Sequence, residues 1–177
     1  AALIRDFDSL LDMTFDSWSV QRLLYSISPT PPGLEDISHI ELLTQLLWVF
    51  ARIIDTKHSY TMGKSIRATW LACRVADRLP EGAVNKWDLI WASLLHDAGE
   101  VGIPRHILDK EGALTPFEWV LVKKHTNDTL SLLSSIRDLE YLAYSAASNH
   151  ENYDGTGYPF GSTAEEIPFI GRIIARR

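Results

Sequence analysis

An all-α fold is predicted for this chain of 177 residues on three observations. Apolar residues recur at steps of three and four along almost its whole length, and helix-start signals precede several of those runs. No alternating strand pattern of useful length occurs, and no internal repeat.

Taken in order, Leu3, Phe7, Leu10, Thr14 and Trp18 make residues 2 to about 26 an amphipathic helix. Ser28-Pro29-Thr30-Pro31-Pro32-Gly33 breaks the pattern and reads as a linker. The expected organisation is a helix with a Pro-rich linker over 1–36 and a helical domain over 37–177. Ser38-His39-Ile40-Glu41 has the form of a capping box and opens a helix through Leu42, Leu43, Leu46, Leu47, Phe50, Ile53 and Ile54. A helix over about 60–79 stops at Leu79-Pro80-Glu81-Gly82. Asn85 is placed to cap the next, which runs through Trp87, Leu89, Ile90, Trp91, Leu94 and Leu95 into His96-Asp97. Gly99, Gly102 and Pro104 then impose irregular chain. Thr115-Pro116-Phe117-Glu118 combines a cap, a first-turn proline and a glutamate at the third position, and His125 lies along the helix it starts. A helix over about 138–148 leads to Asn149-His150, a glycine-rich loop follows, and a last helix begins near Pro168.

Composition bounds the function. Apolar residues make up 46% of the chain and charged ones 23%, an ordinary globular balance. A net charge of −6 argues against binding a nucleic-acid polymer, yet leaves room for a small anion in a local pocket. The single cysteine, Cys73, permits no intrachain disulfide and fits a reducing compartment, the cytoplasm. No apolar run reaches the length of a membrane span, and Arg5, Asp6 and Asp8 interrupt any signal-peptide pattern at the start. The abrupt start at Ala1 and the end on Arg176-Arg177 read as a piece of a longer chain.

The chemistry concentrates at His96-Asp97, His125 and Asn149-His150-Glu151-Asn152-Tyr153-Asp154-Gly155-Thr156-Gly157-Tyr158-Pro159. Three histidines and a carboxylate from separate segments are the raw material of a hydrolytic metal site. In a regular helix His96 and Asp97 would point about 100° apart, so they share a site only where the helix ends or the site lies between those directions. Asp97 has two oxygens and could bridge two cations. Taken singly, His96 is as readily a hydrogen-bonded core histidine and Asp97 a helix-end residue; the set as a whole favours a site.

The stretch LLHDAGEVGIPRHILDKEGALTPFEW, followed by His125, NHENYDGTGYP, EEIP and GRII, resembles the HD-GYP family of HD phosphohydrolases. The resemblance runs from about Asp55 to the C-terminus and includes several separated motifs in family order. It implies an all-helical domain, two or three metals such as iron or manganese, and hydrolysis of cyclic di-GMP to pGpG or GMP. His96, Asp97, His125 and His150 match family metal ligands. Glu151, Asp154, Gly155, Gly157, Tyr158 and Pro159 match the signature loop, and Lys110 and Gly112 match the adjacent Lys-Pro-Gly segment with Glu111 in place of proline.

Three positions depart from the family pattern. Lys64, in SYTMGKS, stands where the first histidine belongs. Asn149 replaces one histidine of the HHE motif, and Glu100 replaces the lysine that approaches the substrate phosphate. The family's last ligand, an aspartate beyond the RII segment, would fall after Arg177. A protonated lysine has no lone pair for a metal, and an amide oxygen is a neutral, weak donor. Asp97, His125, His150 and Asn149 could therefore hold at most one divalent cation, iron, manganese or similar, or none. A Lys64–Glu100 ion pair could stand in for the other cation; alternatively Glu100 is a substitute ligand, or both are solvated charges. Glu100 would also repel an anionic substrate that a lysine would clamp.

The resulting expectation is a regulatory module of cyclic di-GMP signalling that binds a dinucleotide or a protein partner and hydrolyses little or nothing. The alternative is an active metal-dependent phosphodiesterase. Family precedent makes a diguanylate cyclase-type domain a plausible partner at the loop around Gly157, Tyr158 and Pro159, with Asp154, Lys110 and Arg172 as further contact candidates. The N-terminal helix is a candidate homodimer element. Tyr158 could stack on a guanine or simply pack its loop; Arg172, Arg176 and Arg177 could touch phosphate or line a solvated face. His39, His58 and His106 read as structural or exposed, with His58 placed to line the cleft, and the six tryptophans as mostly core.

Overall fold

A computed structural model describes residues 39–57 and 63–175. The expected helix over 2–26, the Pro-rich linker, Ser38, His58 and Arg176-Arg177 lie outside them. His39 begins one compact unit. Its helices are α1 (His39–Asp55), α2 (Lys64–Ala76), α3 (Lys86–Leu95), α4 (Arg105–Leu108), α5 (Pro116–Ser134), α6 (Ala143–Ala147) and α7 (Phe169–Ile174). Short 3₁₀ segments occupy Ala98–Gly102 and Glu140–Leu142. Among the described residues there is no strand, only an isolated antiparallel bridge between Asp154 and Thr163. The class is all-α, as the periodicity predicts. None of these helices is long and apolar enough to cross a membrane.

The centre of the unit is α3. Asn85 caps it by accepting hydrogen bonds from the amides of Trp87 and Asp88. Every residue from Leu89 to Leu95 is buried, so this helix is apolar nearly all round and is packed on several sides. It contacts α1, α2, α6 and α7. Its C-terminal end delivers His96 and Asp97 into the interior, both buried. α2 begins at Lys64, after Gly63 in the left-handed region (φ 71°).

α5 carries the capping box read from the sequence. Thr115 accepts from the Glu118 amide, and Glu118 accepts from the Thr115 amide. The buried face of α5 consists of His125, Thr126, Thr129 and Leu133, and it packs against the 3₁₀ segment that follows His96-Asp97. The approach is close because residue 99 is glycine: a Cβ there would stand 2.0 Å from the His125 carbonyl oxygen and 2.6 Å from the Thr129 amide nitrogen. The Gly99 amide instead donates to Thr129 Oγ1 at 2.9 Å, and that hydroxyl lies 3.3 Å from the His96 carbonyl, to which it donates. Thus one glycine sets the spacing between the segment carrying Asp97 and the helix carrying His125.

Two expectations change. The helix expected over 138–148 is a 3₁₀ turn leading into little more than one α-turn, ended at Ser148, whose hydroxyl donates to the Tyr144 carbonyl. Burial of Leu139, Leu142, Ala143, Ala146 and Ala147 keeps the three-and-four spacing, so the period is present although its first turn is tighter. Of the described tryptophans only Trp91 is buried. Trp48 and Trp70 are half-buried under the guanidinium groups of Arg52 and Arg74, and Trp119 is exposed. His106 is exposed.

Candidate metal centre

Backbone carbonyls orient two of the imidazoles. His96 Nδ1 lies 2.7 Å from the Ser93 carbonyl, and His125 Nδ1 lies 2.6 Å from the Val122 carbonyl. A carbonyl oxygen only accepts, so Nδ1 donates in both rings and Nε2 is the atom turned toward the pocket.

Asp97 divides that pocket. Its Oδ2 contacts the Lys64 ammonium and lies 2.9 Å from His96 Nε2. Its Oδ1 lies 3.6 Å from His125 Nε2 and accepts from Asn149 Nδ2 at 3.3 Å. Lys64 also pairs with Glu100 Oε1 at 2.9 Å, linking α2 to the 3₁₀ segment. One carboxylate oxygen therefore faces an ammonium and an imidazole, and the other faces an imidazole and a neutral amide.

On the neutral side, donor atoms of Asp97, His125 and His150 lie within 4.8 Å of one another. His125 Nε2 and Asn149 Oδ1 are buried without a hydrogen-bond partner. Buried polar atoms left in that state are costly unless something else satisfies them. A divalent cation fits: two imidazole nitrogens, a carboxylate and an amide oxygen are suitable donors, and one ammonium against Asp97 and Glu100 leaves a negative charge to balance.

The electrostatics follow from the geometry. Burial works against the Asp97 carboxylate, but His96 and Lys64 hold it well below the usual carboxylate range. Burial likewise pulls the Lys64 ammonium down, while Asp97 and Glu100 hold it above the ordinary lysine value. His150 is pushed down to about 4, first by burial and then by His125. Its ring is therefore neutral, with a lone pair available, across the physiological range. A group whose folded value lies below its unfolded one withdraws stability as pH falls. Chelator-treated protein should lose about 2 kcal/mol between pH 7 and pH 5 through this group. Urea midpoints at the two pH values measure the loss, and His150→Asn should flatten the slope.

The remaining candidates have other partners. Tyr158 stacks on His150, with ring centroids 4.8 Å apart and planes 9° from parallel. Its peptide bond to Pro159 is cis. A Cβ on Gly157 would stand 2.3 Å from the Asn152 amide nitrogen, so the loop folds back only with glycine there. Asp154 is exposed and accepts from the Thr156 amide and hydroxyl, shaping the loop. Lys110 pairs with Glu118 at 2.6 Å. Arg172 is exposed, with its guanidinium over the Phe169 ring.

Sequence reasoning matched Glu151 to the signature loop without reading its positioning role, and gave Asp55 and Lys57 no role. Glu151 is buried and accepts from the Phe160 and Ser162 amides, anchoring the signature loop from inside. Asp55 is buried and accepts from the Ser65 amide and hydroxyl, fixing the first turn of α2 beside Lys64. Lys57 donates to the carbonyls of Glu100, Val101 and Ile103, at 2.9, 2.5 and 2.5 Å. An acid followed by backbone-rich Gly-Pro loops could have flagged Glu151; nothing local in the sequence flags Lys57.

Residues 48–176 match the HD domain family. The chain is 39% identical over 132 residues to 3'3'-cGAMP-specific phosphodiesterase 3 of Vibrio cholerae, covering 73% of this chain and 28% of that protein. It is 34% identical over 137 residues to a cyclic di-GMP phosphodiesterase of Thermotoga maritima, covering 76% of this chain and 37% of that protein. Against 3'3'-cGAMP-specific phosphodiesterase 1 of Vibrio cholerae the identity is 27% over 177 residues, 98% of this chain and 41% of that protein. The chain thus spans well under half the length of these relatives.

Proposed function

The chain belongs to the HD domain family, in its HD-GYP branch, and from that premise we propose that it is a cyclic-dinucleotide-binding regulatory module with at most one divalent cation and little or no hydrolysis. The observation that carries this reading is the division of Asp97. A carboxylate that serves two cations needs both oxygens free for metal. Here Oδ2 already holds the Lys64 ammonium, itself held by Glu100. The lysine supplies positive charge on that side without Lewis acidity.

On the other side, Asp97 Oδ1, His125, His150 and Asn149 would hold the cation. When bound, such a cation acts as a Lewis acid toward a phosphate oxygen. The protein's own residues orient the ligand. Backbone-locked imidazoles fix the donor directions, and Tyr158 on His150 walls one side of the cluster. Glu100, a carboxylate paired with Lys64 where the resemblance implies a phosphate-facing lysine, gives an anionic substrate no clamp, which supports inefficient turnover.

The relatives named above, cyclic di-GMP and 3'3'-cGAMP phosphodiesterases, support a cyclic dinucleotide as the ligand class. They also supply the competing reading, an active phosphodiesterase. Elemental analysis of protein prepared without chelator, combined with chromatography of cyclic di-GMP incubations, separates the two. At most one metal per chain with intact nucleotide is expected. About two metals with release of pGpG would establish the enzyme instead.

A further inference from the structure

We propose that Lys123 is a ligand-binding residue that holds the second phosphate of a cyclic dinucleotide whose first phosphate faces the Asp97–His125–His150 cluster. This inference rests on the reading of the pocket as a cyclic-dinucleotide site. Such a ligand carries two phosphodiester groups on opposite sides of one closed ring. When one lies at the cluster, the other is left at the rim and needs a cation there.

Several cations are held by carboxylates, and Arg52, Arg74 and Arg172 lie over the rings of Trp48, Trp70 and Phe169. Lys64 is held between Asp97 and Glu100, Lys110 by Glu118, Lys124 by Asp128, and Arg105 by Asp109. Lys123 differs. It is exposed, and no carboxylate of the described residues pairs with it. Its ammonium instead lies over the Tyr158 ring, 5.1 Å from the centroid. That ring stacks on His150, whose own ring stands 5.1 Å from that of His125. On α5 a side chain two residues before His125 does not share its face, so it is the stacked rings that tie the ammonium to the edge of the cluster.

The cation–π contact keeps the side chain over the loop, which lowers the ordering cost when it meets an anion. A charge-assisted hydrogen bond to phosphate at this place compensates for the lysine that Glu100 replaces on the inner side.

Isothermal titration calorimetry with cyclic di-GMP tests the assignment at two salt concentrations on wild type, Lys123→Met, Lys123→Arg and Lys124→Met. Lys123→Met should weaken binding about tenfold to a hundredfold and flatten its salt dependence. Lys123→Arg should keep most of the affinity. Lys124→Met removes the same charge one residue away and should bind like wild type. Wild-type affinity and salt dependence in Lys123→Met overturn the inference while leaving the pocket reading intact, and equal losses in Lys123→Met and Lys124→Met overturn it in favour of a diffuse field. Absence of binding by the wild-type protein overturns the pocket reading and this inference with it.

Discussion

Combining Lys64→His, Glu100→Lys and Asn149→His should raise bound divalent metal from at most one to about two per chain. The physical reason lies in the Asp97 carboxylate. Lys64 contacts Oδ2 and repels any cation that approaches His96 Nε2 from that side. A histidine at 64 removes the ammonium and adds a lone pair, and the histidine at 149 replaces a weak amide donor. The lysine at 100 relieves a carboxylate left without its partner, a change that alone would cost several kcal/mol. Elemental analysis gives the answer directly. A metal content unchanged from wild type, in a variant that melts normally, would mean that Lys64 is not what limits occupancy.

The second large effect concerns Gly99. Gly99→Ala should destabilise the domain by at least about 3 kcal/mol, because the methyl group would overlap the backbone of α5 at His125 and Thr129. No side-chain rotation relieves a clash with backbone. The segment bearing Asp97 and the helix bearing His125 must separate, so bound metal should fall along with stability. Gly102→Ala is the control: its added carbon meets only the Asp128 carboxylate, at 3.3 Å, and a flexible side chain can move. Urea denaturation of both variants should show a large loss for the first and within about 1 kcal/mol for the second.

Much of this architecture was legible beforehand because its signals are local. Asn85 as a cap and the Thr115–Glu118 box depend on residues within a few positions of one another, whereas the helix expected to run to Leu79 ends at Ala76. The cluster residues Asp97, His125 and His150, and His96 beside them, were legible for a different reason: they sit in motifs of recognisable order. What escaped was long-range. Lys57 reaches three carbonyls more than 40 positions away, and Asp55 accepts from Ser65 across the connection between α1 and α2. Charge complementarity suggested Lys64 against Glu100, but not that the same ammonium also contacts Asp97. Nor does the periodicity of α5 disclose that its interior face is two threonines, a histidine and only one leucine, since burial there follows from a glycine on another segment.

Because His96 and His125 each tether one nitrogen to a carbonyl three residues earlier in the chain, their rings cannot spin away from the cavity without breaking that tether. The Nε2 atoms are aimed before any ion arrives. Weak capture by this protein would therefore reflect too few donors and a rival charge rather than a slack or disorganised scaffold, and substitutions that merely stiffen the bundle should leave ion affinity where it was.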